Sequence, residues 1–379
     1  MNLVLSEEAR LLKRAVGDFV RDRSSLKRVR AGAASGWSRE LWQEMAKLGW
    51  LGLLSSDDSD ADAARIRHQL LMVVCEELGR GLMLEPFLST AVFGTQLILL
   101  GGSPTQRRHH LPALARGEYT IAVAYQEAHS RWSLSAIETV AAASKGGAFA
   151  LSGEKTFVLG GGSAEWIIVS AQHASFGQNA IALFLVPVNS KGVTVERQVW
   201  IDGRDAATIR LTDVHVDADA LLGSPTGGLR ILERAIDVAS IALSSEILGT
   251  MSAAFEMTLD YLKTREQFGV KIGSFQALQH RAARLYVETE LARSAVMFAH
   301  ALLDEGGTVR DVGRAASVAK AKCAEASMLV THEAIQMHGG IGMTDEHDIG
   351  LFLKRARVAE MTFGNAIYHR DRVARLGGY

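Results

Sequence analysis

The chain has 379 residues, 48% of them hydrophobic, and its 41 Lys and Arg balance 42 Asp and Glu to a net charge of −1. That length and apolar fraction allow two or three packed units over a large core. Balanced charge without a basic stripe excludes a nucleic-acid footprint, and no stretch of about 18 uninterrupted apolar residues marks a membrane span. The N-terminus lacks a signal-peptide run, so a soluble cytoplasmic protein is expected. Cys75 and Cys323 lie in apolar helical contexts and are expected as reduced thiols.

In chain order, Ser6 before Glu7 and Glu8 is a helix N-cap, and Leu11, Leu12, Val16, Phe19 and Val20 follow at helical spacing. Residues 38–48 form a second amphipathic helix, with Leu41, Trp42, Met45 and Leu48 on one face. The acidic run at 55–62 predicts a solvated, mobile linker. Helices follow at 66–81, 91–100 and 111–116. The period then changes. Residues 119–125, 137–143, 148–152, 155–159, 166–170, 181–188 and 193–198 are short runs with β-branched or aromatic residues between Gly, Ser and Asn clusters. They predict a small antiparallel barrel or sandwich of roughly 100 residues. Helical spacing returns at 229–264, 275–305, 308–337 and 346–376, with Thr344 as the N-cap of the last helix. The Thr344 to Asp348 cluster therefore reads as a cap and not as a metal site.

Between the first two long helices lies Tyr261-Leu-Lys-Thr-Arg265-Glu-Gln267-Phe268-Gly269-Val-Lys-Ile272-Gly273-Ser-Phe275-Gln276. Arg265 offers a planar cation to a phosphate or carboxylate. Gln267 and Gln276 can bond a pyrophosphate or a heteroaromatic ring. On residue types alone, a loop whose Arg and Gln cap helix ends while Phe275 plugs a core explains the stretch as well. Neither Gly160-Gly161-Gly162 nor Gly339-Gly340 follows a strand and opens a helix, so no dinucleotide turn of the Rossmann kind is present.

Thr264-Arg265-Glu266-Gln267-Phe268-Gly269, completed by Ile272-Gly273-Ser274-Phe275-Gln276, closely resembles the flavin-contacting loop of the acyl-CoA dehydrogenase family. Ala334-Ile335-Gln336-Met337-His338-Gly339-Gly340-Ile341-Gly342 resembles its second signature, and the layout matches from end to end. The resemblance implies a mostly α protein with a central β-barrel: an N-terminal helical domain at 1–117, a middle β-barrel domain at 118–226 and a C-terminal four-helix bundle at 227–379. It implies tetramers built through the bundle, with FAD at a subunit interface. One half-site would come from the neighbour's bundle: Arg265, Gln267, Phe268, Ile272, Phe275 and Gln276, with Gln336, Gly339 and Gly340. The other would come from the subunit's own barrel, around Tyr125, Gln126, Phe157 and Val158, with Asn365 also on the cofactor side.

The second half-site departs from the family pattern. Gln126-Glu127-Ala-His-Ser-Arg131-Trp132 stands where relatives carry Thr-Glu-Pro-Gly-x-Gly-Ser, and Phe157-Val158-Leu159 replaces Trp-Ile-Thr. Ordinary barrel packing is the competing account of Phe157 and Trp132. The family's catalytic glutamate, in a Tyr-Glu-Gly turn, corresponds to Phe363 of Thr362-Phe363-Gly364-Asn365; its alternative position, on the preceding long helix, corresponds to Ala239. Glu233, Asp237 and Glu246 lie near Ala239, with an ion pair or a serine hydrogen bond the simpler account of Glu246. No catalytic residue is assigned. Two functions follow from the resemblance. One is an FAD-dependent desaturase of a fatty, branched or sterol-type acyl-CoA, a homotetramer delivering electrons to an electron-transfer flavoprotein. The other is the non-catalytic partner subunit of a mixed tetramer.

Overall fold

A computed structural model describes residues 4–23, 26–30, 36–55, 65–144, 147–173 and 180–379. The linker expected at 55–62 lies outside them except for Ser55. The helices α1 Glu7–Arg23, α2 Leu26–Arg30, α3 Arg39–Lys47 and α4 Arg67–Arg80 lead to a π-helix, Phe87–Gly94, then α5 Thr95–Gly101 and α6 Pro104–Ala115. Strands β1 Ile121–Ala124, β2 Val140–Ala143, β3 Phe149–Leu159, β4 Trp166–His173, β5 Ile181–Pro187, β6 Val193–Val199, β7 Asp205–Val216 and β8 Leu221–Leu222 follow. The long α7 Gly228–Thr264 then leads through the short hairpin strands β9 Glu266–Gln267 and β10 Val270–Lys271 to α8 Gln276–Asp304, α9 Val309–His338, α10 Ile349–Met361 and α11 Ala366–Gly377. The described residues fall into two compact units, one from 1–33, 58–83 and 240–379, the other from 34–57 and 84–239.

The first unit is helical. Ser6 caps α1 as expected, its Oγ accepting from Ala9 N at 3.2 Å. Helices α4 and α7 meet backbone to backbone: a Cβ on Gly79 would stand 2.1 Å from Glu246 O, and one on Gly249 1.8 Å from Glu76 O. Only glycine permits that approach. At this crossing the buried Glu76 carboxylate receives Arg293 at 2.7 Å and Lys13 at 3.0 Å. Burial opposes its ionisation, but the two cations prevail and hold it below the usual range. Helix α7 is long and apolar enough to cross a bilayer, yet 89% of its most apolar window is buried, which is how a core helix reads.

The second unit is built on one eight-stranded sheet in the order β6-β7-β3-β2-β4-β5-β8, with β1 added on β4. Its core includes Leu151, Ile167, Val169, Phe184, Val186, Ile209 and Val214. Among the described residues the sheet is not closed, because β6 and β8 end the path without pairing with each other; this corrects the expected barrel. Nor is it wholly antiparallel, since β1 and β2 both run parallel to β4. The two runs at 148–152 and 155–159 are one strand, β3, carried through Gly153 by a register shift. Strand β7 was missed, its opening Ala206 and Ala207 being poor strand formers.

Three helical expectations also change. The segment at 91–100 begins as a π-helix, where Thr95 Oγ1 reaches Thr90 O at 3.0 Å. The last helix is two, broken at Thr362–Asn365, where Phe363 has φ 61° and Gly364 φ 117°. Two consecutive left-handed residues cannot continue an α-helix. Thr344 caps no helix: its hydroxyl donates to Ile341 O at 2.8 Å, and α10 starts only at Ile349.

Candidate functional site

The Arg265 corner belongs to the first unit. Arg265 N closes the end of α7 on Tyr261 O at 2.8 Å, and Ile272 N returns to Arg265 O at 2.9 Å. Between them β9 and β10 pair antiparallel, with Val270 opposite Gln267. Both turn residues have positive φ, Phe268 at 54° and Gly269 at 77°, the conformation of a two-residue type I′ hairpin. A phenylalanine there is strained, and its ring is 91% exposed, 6.2 Å from Phe275. Gly273 lets the loop cross α7, because a Cβ would sit 2.9 Å from Leu262 O. Lys271 bonds Glu266 at 2.7 Å and holds that carboxyl below its ordinary range. Among the described residues the side chains of Arg265 and Gln276 have no partner, and both are exposed; the Gln267 amide bonds only Glu266 O, at 2.9 Å.

Gln336 lies at the C-terminal end of α9, exposed and likewise without a partner among the described residues. It lines a cavity of about 740 Å³ with Arg281, His332, Met343, His347 and Lys354. Gly339, with φ 66°, ends the helix, and neither it nor Gly340 has an atom within 4 Å of an added Cβ, so this backbone stands open. Beneath it His338 is buried between Tyr261 and His347, each ring 4.5 Å away, with Nδ1 donating to Ala334 O. Burial lowers its pKa.

The other group of predicted residues belongs to the second unit. Tyr125 is nearly buried and meets Phe93 edge-on at 5.8 Å. Gln126 O accepts from Thr156 N at 2.8 Å. Just beyond, the ladder of β3 shifts register between Lys155 and Val158. The shift turns Phe157 outward at φ 54° and 55% exposure while Val158 stays inside. Phe157 is therefore not a packing residue of the sheet, which overturns the competing account of it. The Gly160–Gly162 turn is wedged shut: a Cβ on Gly160 would meet Ser89 Oγ at 2.7 Å, and one on Gly162 would meet Asp205 Oδ1 at 2.4 Å.

The reading from residues missed Glu127 and Lys155, a fully buried ion pair at 2.7 Å. Glu127 also accepts from Glu138 N and from Thr139 N and Oγ1. Burial brings the Lys155 ammonium down to about 8 against the pull of Glu127. The pair and these bonds pin the start of the stretch at 126–132.

In the break between α10 and α11, Phe363 is buried. Asn365 serves as a cap, its Oδ1 accepting from Tyr368 N at 3.0 Å. Ala239 and Asp237 are buried, and Glu233 is exposed. Glu246 pairs with the buried Arg355 at 3.0 Å, so the ion-pair account of Glu246 holds. Arg355 also donates to Leu82 O at 3.3 Å and Met83 O at 3.2 Å. Cys75 and Cys323 are buried free thiols.

This arrangement of a helical unit, a sheet unit and a strained hairpin corner is that of a known class of flavoproteins. Residues 6–118, 122–214 and 226–377 match the N-terminal, middle and C-terminal domains of acyl-CoA dehydrogenases. The probable acyl-CoA dehydrogenase YngJ of Bacillus subtilis is 28% identical over 99% of each chain. Among solved structures, the Tcur3481-Tcur3483 steroid ACAD is 30% identical, with a TM-score of 0.85 over 98% of both chains. The ChsE4-ChsE5 complex from Mycobacterium tuberculosis is 24% identical, with a TM-score of 0.86 over 100% of this chain and 99% of that one. The chain belongs to the acyl-CoA dehydrogenase family, FAD-dependent oxidoreductases that desaturate acyl-CoA thioesters.

Proposed function

We propose that this chain acts in the FAD-dependent α,β-desaturation of an acyl-CoA thioester as one subunit of a mixed tetramer, with the catalytic base supplied by a related partner. The carrying observation is an asymmetry. At the Arg265 corner the Arg265 guanidinium and the Gln276 amide have no protein partner among the described residues, whereas the base position holds the buried Phe363 and Glu246 is tied to Arg355.

The chain's residues fit the dinucleotide at that corner. Arg265 would neutralise pyrophosphate charge, Gln276 and Gln336 would bond ribose and adenine, and the open Gly339-Gly340 backbone would admit close approach. Phe268, Phe275 and Ile272 would meet the neighbouring subunit, with Gln267 beside them. On the ring side Tyr125, Gln126, Phe157 and Val158 would offer backbone and aromatic contact, while Asn365 is a helix cap. Bound there, FAD would supply an acceptor for the hydride lost from the substrate β-carbon, and removal of the α-proton would need a base, which the buried Phe363 is not. Exposed Tyr286, Val287, Leu291 and Phe298 along α8 supply an apolar face for assembly. The Tcur3481-Tcur3483 steroid ACAD and the ChsE4-ChsE5 complex, each named for two components, support a mixed assembly, and the first favours a sterol-type acyl group over a branched or fatty one. We place the assembly in the cytoplasm, passing electrons to an electron-transfer flavoprotein.

The test is the absorbance spectrum of the protein purified alone and after co-expression with a homologue encoded beside it. A colourless or aggregated single chain that turns yellow in the mixed complex is expected. A yellow homotetramer that an acyl-CoA bleaches would replace this reading with the homomeric enzyme.

A further inference from the structure

Lys320 lies midway along α9, fully buried, where an unpaired ammonium is costly. Its nearest hydrogen-bond acceptors are not carboxylates. Nζ donates to Glu360 O at 3.0 Å and to Gly364 O at 2.8 Å. The first carbonyl belongs to the last turn of α10, the second closes the break before α11. Between them stand Met361, Thr362 and Phe363, so one side chain holds both ends of the left-handed Phe363-Gly364 pair. That end of α10 is where backbone carbonyls lack intrahelical partners and where a cation is favoured. Gly364 leaves no slack, because a Cβ there would meet Tyr368 at 2.4 Å and His369 Nε2 at 3.0 Å.

We propose that Lys320 is the positioning residue of the 362–365 turn, setting where side chain 363 projects by gripping the carbonyls on either side of it. Burial brings the Lys320 pKa down to about 7, with Cys323 and Glu360 pulling it back up. A neutral amine still has two N–H donors, so the grip outlasts deprotonation. The meaning of the grip rests on the proposed function, in which position 363 faces the chemistry in base-bearing subunits; the grip itself can be tested without reference to activity.

Lys320→Met and Lys320→Gln in the full chain, in its mixed complex if the complex is needed, are compared by backbone hydrogen exchange. With Met, amides 361–366 should exchange about tenfold faster while those of α8 stay within roughly twofold of wild type. Gln, which keeps an N–H₂ donor, should restore part of the protection. Wild-type rates at 361–366 in a folded Lys320→Met chain would overturn the proposal. A parallel rise across α8 would do the same, since that is what a merely structural residue would produce. Should neither variant fold, the wild-type chain decides: amides 361–366 must be protected, and exchange at the rate of an open turn would refute the grip.

Discussion

Glu246→Gln separates two accounts of Glu246, one of the three acids near Ala239. In the structure Glu246 neutralises Arg355, whose side chain is 1% exposed against 14% for the acid. Two unit charges about 4 Å apart interact by about 4 kcal/mol at an effective dielectric of about 20. Glutamine keeps an acceptor oxygen, and Arg355 keeps the carbonyls of Leu82 and Met83, so part of that is recovered. A loss of about 3 kcal/mol is expected, the lower end of the range for breaking a buried pair. Urea denaturation at pH 7 reads it directly. Arg355→Met added to Glu246→Gln should return most of the stability, because no uncompensated charge remains. A Glu246→Gln chain as stable as wild type, but with turnover of the assembled complex abolished, would refute the structural account and make Glu246 the base.

Arg265→Ala should weaken FAD retention by about 10- to 100-fold, the worth of one charge-assisted hydrogen-bond pair, and leave the melting temperature of the flavin-free chain in place, since Arg265 is exposed. Full flavin occupancy after gel filtration would dismiss the assigned corner. Gly249→Ala drives a methyl to 1.8 Å from Glu76 O; the helices must part, and a loss of about 3 kcal/mol or more is expected, whereas an unchanged urea midpoint would show the crossing to be loose. Acid should destabilise the chain through its buried imidazoles. Burial lowers His300 and His369 to about 3 and His110 to about 4. All three stay neutral in the fold while the unfolded chain takes up protons below about 6.5, so stability falls as pH drops from there toward 4. His300 and His369 each contribute about 2 kcal/mol of loss at pH 5, about 4 together, and the more solvated His110 a smaller share. Equal urea midpoints at pH 7 and pH 5 would contradict the burial of those rings.

The parts of the fold legible in the sequence are those written in local spacing. The cap at Ser6, the buried Trp42 and Met45 of α3 and the break between long helices at Arg265 depend on neighbours within a few residues, and these stand as read; Leu48, expected on the same face of α3, is 54% exposed. The open sheet was harder. Whether β6 finds a partner beyond β7 depends on long-range register, which alternation along each strand does not encode. The broken last helix was half written: Gly364 signals a stop, but Phe363 beside it looks like a core residue.

Buried polar groups were the least legible, for a definite physical reason. Lys320 shares a helix face with Ala316, Ala319, Cys323 and Ala324, all buried, and a lysine within such a face announces that something must receive it. What receives it is a pair of carbonyls 40 and 44 residues downstream. Every residue carries a carbonyl, so the partner has no side-chain signature to find. The same holds for Arg355 on Leu82 O and Met83 O. A buried charge is thus visible in sequence as a debt, while its creditor becomes visible only once the backbone is in place. Lys155 is the contrary case: its partner Glu127 is a carboxylate 28 residues upstream, a residue type the sequence does display, and only the folded sheet brings the two together.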